Sequence, residues 1–136
     1  MQVEKFLDKV ADYINGLARL GMVYDSPPPM RRVVKTEAVG DKLRVVYEGG
    51  GARLVCCGDY LIVELRRLRR AEKREVEHAL NALADLHMLY IGAGFRREVF
   101  LVELVGDAAY VISRDDSGAY QQKMSLDCLY LFIRVW

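Results

Sequence analysis

"VADYINGLARLGMVY", Val10–Tyr24, and "VEHALNALADLHMLY", Val76–Tyr90, lie at an offset of 66 and agree at seven of fifteen positions. The shared residues are Val10/Val76, Asn15/Asn81, Leu17/Leu83, Ala18/Ala84, Leu20/Leu86, Met22/Met88 and Tyr24/Tyr90. Two unrelated amphipathic helices would share leucines at helical spacing, but nothing in amphipathicity demands a matched Asn and a matched Tyr. The agreement continues beyond the helix. Met30-Arg31-Arg32 answers Phe95-Arg96-Arg97, Val39-Gly40-Asp41 answers Val105-Gly106-Asp107, Gly51-Ala52 answers Gly118-Ala119, and Tyr60–Val63 answers Tyr130–Ile133. The pattern predicts a tandem duplication, residues 1–65 and 66–136, with both copies sharing one compact domain.

Each copy opens on a helix. Val3, Phe6, Leu7, Val10, Ile14 and Leu17 recur at three and four residues, an apolar stripe, and Gly21 is placed to stop it. Val76, Ala79, Leu80, Leu83 and Leu86 repeat the stripe, and His87 falls beside it, which predicts a partly buried histidine. Strands follow: Val33–Val39 and Lys42–Glu48 flank Gly40-Asp41, and Glu98–Val105 and Ala108–Arg114 flank Gly106-Asp107. A glycine leading a two-residue link signals a type II′ hairpin, whose first position needs positive φ. Third strands are expected at Ala52–Cys57 and Ala119–Met124, fourth strands at Tyr60–Leu65 and Cys128–Val135. "CLYLFIRVW" is apolar throughout, and its short counterpart "DYLIVEL" identifies both as strands. The fold class is therefore α+β: an α-β-β-β-β unit twice, an antiparallel sheet with two helices on one face, and pseudo-twofold symmetry.

Composition bounds the function. The chain has 136 residues, 52% hydrophobic and 29% charged, with a net charge of +1. Neither half is basic, which disfavours indiscriminate binding to phosphate backbones. No apolar run reaches the roughly 18 residues of a membrane span, and the charged N-terminus does not read as a signal peptide. The expected setting is cytoplasmic. One Thr, two Asn and three Gln give a thermophile-like composition. Cys56 and Cys57 are adjacent and Cys128 is distant, so no zinc spacing exists and small buried strand residues are expected, with a Cys128 bridge to either as the alternative.

"VELRRLRRAEKREVEH", Val63–His78, carries five arginines. Arg66, Arg67, Arg69 and Arg70 fall where the first copy ends and the second helix begins, near Leu68–Arg70. Arginines there oppose the helix dipole, and Glu72, Glu75 and Glu77 follow at a spacing that pairs with them. Catalytic motifs are thin. Gly92-Ala93-Gly94 follows a helix and not a strand, so the dinucleotide fingerprint fails. Asp115-Asp116 reads as turn chemistry. Asp59 and Glu64 with Arg66 loosely resemble the acidic core of restriction-type nucleases, but the lysine of that motif is replaced by an arginine that stays charged. In outline, a duplicated α+β unit with an antiparallel sheet is also similar to the TATA-binding proteins, without their matched phenylalanine wedges.

The reading that results is a non-enzymatic binding module with no cofactor and no metal. Arg31, Arg32, Arg96 and Arg97, joined by Arg66, Arg67, Arg69 and Arg70, are expected to form a basic surface for nucleic acid. The alternative is a protein-interaction or homodimer face built from Phe100, Val102 and Leu104 on one side of a strand apolar on both faces, with Phe132 and Trp136. A metal-dependent nuclease ranks last.

Overall fold

The computed structural model describes residues 2–25, 30–92, 94–127 and 129–135, so the expected loop at 26–29, Ala93, Cys128 and Trp136 lie outside the described residues. The elements are α1 (Gln2–Ala18), β1 (Val23–Asp25), β2 (Arg31–Val39), β3 (Lys42–Tyr47), β4 (Ala52–Val55), β5 (Asp59–Leu65), α2 (Arg70–Asp85), β6 (Leu89–Ile91), β7 (Arg97–Val105), β8 (Ala108–Asp115), β9 (Gly118–Ser125) and β10 (Leu129–Val135). The α+β class holds: two helices and one open, ten-stranded antiparallel sheet ordered β4-β3-β2-β1-β5-β10-β6-β7-β8-β9. The expected strand count does not. Five strands, not four, follow each helix, because β1 and β6 are three residues long and start at once after the helix. A three-residue strand gives alternation nothing to register on.

The two helices end in the same way. Met22 N–H bonds Leu17 O and Gly21 N–H bonds Ala18 O; Met88 N–H bonds Leu83 O and His87 N–H bonds Ala84 O. This pair of bonds needs a left-handed residue just past the helix. Gly21 supplies it at φ 71° and His87 at φ 61°. His87 is therefore not a stripe residue. Its side chain is 72% exposed and meets Glu98 through Nδ1 at 2.7 Å. At the hairpins Gly40 and Gly106 have φ of 62° and 60°, as the turn type requires.

Each long strand carries a bulge, between Val33 and Lys35 in β2 and between Val99 and Leu101 in β7. The extra residue shifts alternation by one. Val99, Val102 and Leu104 thus point into the core, and Leu101 and Val105 point out. Next to each bulge a helix asparagine satisfies the strand backbone. Asn15 accepts from Thr36 N–H at 2.7 Å and donates to Thr36 O at 3.0 Å; Asn81 accepts from Val102 N–H at 2.8 Å and donates to Val102 O at 2.9 Å. These backbone groups need side-chain partners because β1 and β6 end too soon to serve them: β1 pairs with β2 only at Arg31 and Arg32, and β6 with β7 only at Arg97 and Glu98.

Only Cys56–Gly58 separate β4 from β5, although three strands lie between them in the sheet. Four strand spacings on a flat sheet are about 19 Å, and the four residue steps from Val55 to Asp59 reach about 14 Å at most. The sheet must therefore curl toward the helices. Contacts that skip strands reflect the curl: β4 Arg53 reaches β1 Asp25 at 2.9 Å, and β7 Arg97 reaches β9 Gln122 at 2.8 Å. Inside it, Leu7, Val10, Ile14 and Leu17 of α1 and Val76, Leu80 and Leu83 of α2 share one core with Leu61, Val63, Leu65, Leu131 and Ile133. Each such side chain contributes about 1.5–3 kcal/mol.

Candidate functional site

The helices cover one face of the sheet and leave the other bare. On the central strands the bare face carries Tyr24 of β1, Tyr60, Ile62 and Glu64 of β5, Tyr130, Phe132 and Arg134 of β10, and Tyr90 of β6, each alternating with a buried neighbour. β5 and β10 are paired antiparallel with Ile62 directly opposite Phe132. Tyr60 meets Tyr90 and Phe132 edge to face, with ring centroids 6.2 and 6.4 Å apart, the arrangement the ring quadrupoles favour. Ile62, Ile91, Gly92, Tyr130 and Phe132 line a shallow apolar depression of about 380 Å³. Tyr130 is 42% exposed.

Three of the expected arginines lie on this face. Arg96 places its guanidinium 4.2 Å from the Tyr60 ring centre and 4.1 Å from that of Phe132, well inside the reach of a cation–π contact. Arg32 donates to Tyr24 Oη at 3.4 Å and faces Glu48 at 3.6 Å. The Tyr24 bond, chiefly, raises the pKa of Arg32 above its usual value.

Arg66 joins Arg32 at the edge of this face, since both guanidinium groups flank Gly21 and Arg66 continues the outward alternation of β5.

The other five are elsewhere, so the eight arginines do not all share one surface. Arg31 and Arg97 share the helix side of the sheet. Arg31 covers the Tyr47 ring at 4.0 Å and donates to Gly50 O, while Arg97 donates to Ser113 Oγ at 3.2 Å and Gln122 Oε1 at 2.8 Å. Strand register explains the split. Arg31 stands opposite Asp25 and Arg97 opposite Ile91, but Arg32 stands opposite Tyr24 and Glu98 opposite Tyr90. Arg32 and Glu98 thus hold the same place, an offset of 66 where the Arg-Arg dipeptides align at 65. A slip of one residue moves a side chain to the other face. At the junction Arg66 donates to Leu20 O, just past the C-terminal end of α1, where a cation is favourable. Arg67 approaches Asp107 and Asp127 at 3.8 and 3.9 Å. Arg69 precedes α2, and Glu72 accepts from its backbone N–H at 2.9 Å. The Arg69 side chain and backbone together hold Glu72 below the usual carboxylate range. Arg70 is exposed at the first residue of α2.

The expected interface set also divides. Val102 and Leu104 are buried within this chain under α2, removed from any interface by the bulge. Phe100 is half-buried beneath the Arg114 guanidinium at 4.5 Å. Phe132 stays on the bare face. Glu77 accepts from Leu104 N–H at 2.9 Å and so serves the strand rather than the junction arginines.

A polar cluster lies inside the first curl. Asp25 is buried, accepts from Arg53 Nε and Nη2 at 2.9 Å each, and accepts from Tyr47 Oη. The Asp25 bond raises the Arg53 pKa; burial, and then the Asp25 bond, raises that of Tyr47. The cluster continues outward, with Arg53 Nη1 4.0 Å from Asp59 Oδ2. Asp59 and Glu64 cannot share a metal ion, because they stand five residues apart on β5 and so face opposite sides. Asp59 instead accepts from Cys56 N–H at 3.1 Å. Cys56 and Cys57 are not buried strand residues: they sit in the β4–β5 turn and are bonded to each other. Among the described residues no group of His, Cys, Asp and Glu stands close enough to hold a metal ion, and no helix is long and apolar enough to cross a membrane.

Sequence reasoning missed the tyrosines. The signal was present, since Tyr24/Tyr90 and Tyr60/Tyr130 are matched pairs, but only strand order brings all four to the centre of one face. Comparison with protein families, curated proteins and solved structures found no match.

Proposed function

We propose that this chain is a non-enzymatic cytoplasmic module that binds single-stranded nucleic acid across the bare face of its sheet. The observation that carries this is the Tyr60–Tyr90–Phe132 cluster with the Arg96 guanidinium laid over it. The cluster is half-buried under Arg96, and Tyr130 beside it is exposed; an exposed aromatic ring stacks on an unpaired base, and adjacent arginines meet the phosphates. Charge supports it: Arg32, Lys35, Lys42, Arg44, Arg66, Arg96, Arg114, Lys123 and Arg134 outnumber Glu37, Glu48, Glu64, Glu98 and Glu103 on that face, while the chain as a whole is +1.

We also infer that the chain arose by tandem duplication of 1–65 and 66–136, with a pseudo-twofold axis between Ile62 and Phe132. Supporting this are a strand order that reads the same from either end, bulges at a shared offset, the paired asparagine clamps and the matched helix ends. Such an axis brings Tyr24 with Tyr90 and Tyr60 with Tyr130 into one continuous aromatic platform.

The test is fluorescence anisotropy with a labelled single-stranded oligonucleotide of about 16 nucleotides, the upper site size of comparable platforms. Binding should weaken with salt at a slope of about 0.7 per neutralised phosphate. Tyr130→Ala should cost about 1–3 kcal/mol of affinity, the range for one stacked base. No binding at low salt to DNA or RNA sinks the proposal. The depression at Ile62, Tyr130 and Phe132 favours one competing occupant, a second copy of the chain, and sedimentation across micromolar concentrations reports on it.

A further inference from the structure

The Cys56–Cys57 bond joins adjacent residues. A disulfide stabilises a protein chiefly by closing a loop in the unfolded chain, and the effect grows with loop length. This one closes no loop, so global stability does not account for it. What it constrains is a turn. Cys57 is exposed and holds φ 61°, a left-handed conformation that few residues other than glycine adopt. The turn is tied on both sides: Cys56 N–H bonds Asp59 Oδ2 at 3.1 Å, Asp59 N–H bonds Cys56 O at 2.9 Å, and Gly58 N–H bonds Val135 O at 2.7 Å. It leads directly into β5, whose Tyr60 stands opposite Arg134 of β10.

We propose that Cys56 and Cys57 form a reversible thiol–disulfide exchange site for small thiols, one that sets the local conformation of the β4–β5 turn without governing the fold. The thiolate of a small thiol attacks Sγ of Cys57, the more exposed residue. The Sγ–Sγ bond breaks, its electron pair goes to Cys56 Sγ, and that sulfur takes a proton. A second thiolate then attacks the small-molecule sulfur of the mixed disulfide; the bond to Cys57 breaks, its electron pair goes to Cys57 Sγ, which takes the second proton, and the small-molecule disulfide leaves. Two electrons pass from two thiols to the pair. Exchange with a small disulfide reverses every step. Opening the bond frees the Cys57 backbone, and the change is read at Gly58 and across the seam at Val135.

The test uses the full chain with Cys128→Ser, so that the pair holds its only cysteine sulfurs. Native intact-mass measurement after treatment with oxidised glutathione, then alkylation with N-ethylmaleimide before and after dithiothreitol, counts the thiols. The expected result is no adduct before reduction, two after it, and a gain of about 2 Da on reduction without alkylation, with the circular dichroism and thermal midpoint retained. Backbone amide shifts should concentrate at Cys57, Gly58 and Val135. The double variant Cys56→Ser, Cys57→Ser is permanently open, and its Gly58 and Val135 amides should match the reduced protein. Two free thiols or glutathione adducts after oxidation, reduction that occurs only with unfolding, or a double variant matching the oxidised spectrum would each overturn the proposal.

Discussion

The two ends of the sheet solve one mechanical problem with different chemistry. In the first half the curl is held by a buried carboxylate, Asp25, bridged by Arg53 and Tyr47. In the second, the residue in the place of Asp25 is Ile91, and Arg97 ties Ser113 to Gln122 in the space that Tyr47 and Arg53 fill. The backbone, the bulge and the asparagine clamp are alike at both ends. The polar interior is thus not what specifies the curl. The short β4–β5 and β9–β10 connections, each joining strands with three others between them, and the packing under the helices do that, and the polar groups need only satisfy one another. A buried ion pair and a neutral network are interchangeable solutions, but they fail differently: removing one partner of the first strands a charge, and removing one partner of the second strands a hydrogen bond.

The largest expected break follows from that. Arg53→Leu leaves Asp25 buried without its main cation and should cost about 2–3 kcal/mol in urea unfolding, below the range for a fully buried pair because the Arg53 side chain is 36% exposed. Gln122→Leu, its equivalent, should cost only about 1 kcal/mol. Transplanting the second solution into the first, with Asp25→Ile, Tyr47→Ser and Arg53→Gln together, should recover most of the Arg53→Leu loss. A triple variant less stable than Arg53→Leu would show that the ion pair specifies this end after all.

The asparagine clamps come next. Asn15→Ala and Asn81→Ala each leave a strand N–H and C=O unserved, a cost of about 1–3 kcal/mol. Asn15→Ala should be the larger, since Thr36 Oγ1 also bonds Asn15 at 3.0 Å and Val102 has no hydroxyl. Equal costs would remove that distinction. Smaller again are the helix ends. Gly21→Ala puts a Cβ at φ 71° and should cost about 1 kcal/mol. His87→Gly relieves the same strain but loses the Glu98 contact, an exposed pair worth about 0–1 kcal/mol, so its effect should be near zero.

Alkaline pH is the mildest probe. Burial and Asp25 raise the folded-state pKa of Tyr47 above its ordinary 10.0. As pH passes 10 the unfolded tyrosine ionises first, so stability is present below that value and declines above it. Tyr47→Phe should flatten this part of the stability curve. An unchanged alkaline slope would mean that Tyr47 titrates no differently in the folded chain.

Much of this fold was legible in pattern: the helices from residues 10–24 and 76–90, the stop of the first at Gly21, and, beyond those stretches, the hairpin glycines and the long strands. What was not legible has physical causes. β1 and β6 are too short to alternate. A bulge leaves no mark in composition, and it is what sends Val102 and Leu104 inward and Leu101 outward. His87 looked like a stripe residue because its role lies in φ, not in polarity. The arginine pairs looked equivalent because a dipeptide aligns equally well one residue out of register, yet in a strand that single step chooses the face. The aromatic platform needed strand order, since its members come from β1, β5, β6 and β10.

Arg96 and Arg97 make the sharpest test, being adjacent in sequence, identical in charge and assigned opposite work. Anisotropy of a labelled single-stranded oligonucleotide across a salt series, run beside urea unfolding, separates them. Arg96→Ala should lower affinity and reduce the salt slope by about 0.7, with stability falling by no more than about 0.5–1 kcal/mol, the worth of an exposed cation–π contact. Arg97→Ala should lower stability by about 1 kcal/mol and leave affinity and slope as they were. Equal loss of affinity from both variants, or loss from Arg97→Ala alone, would contradict the assignment of binding to the bare face.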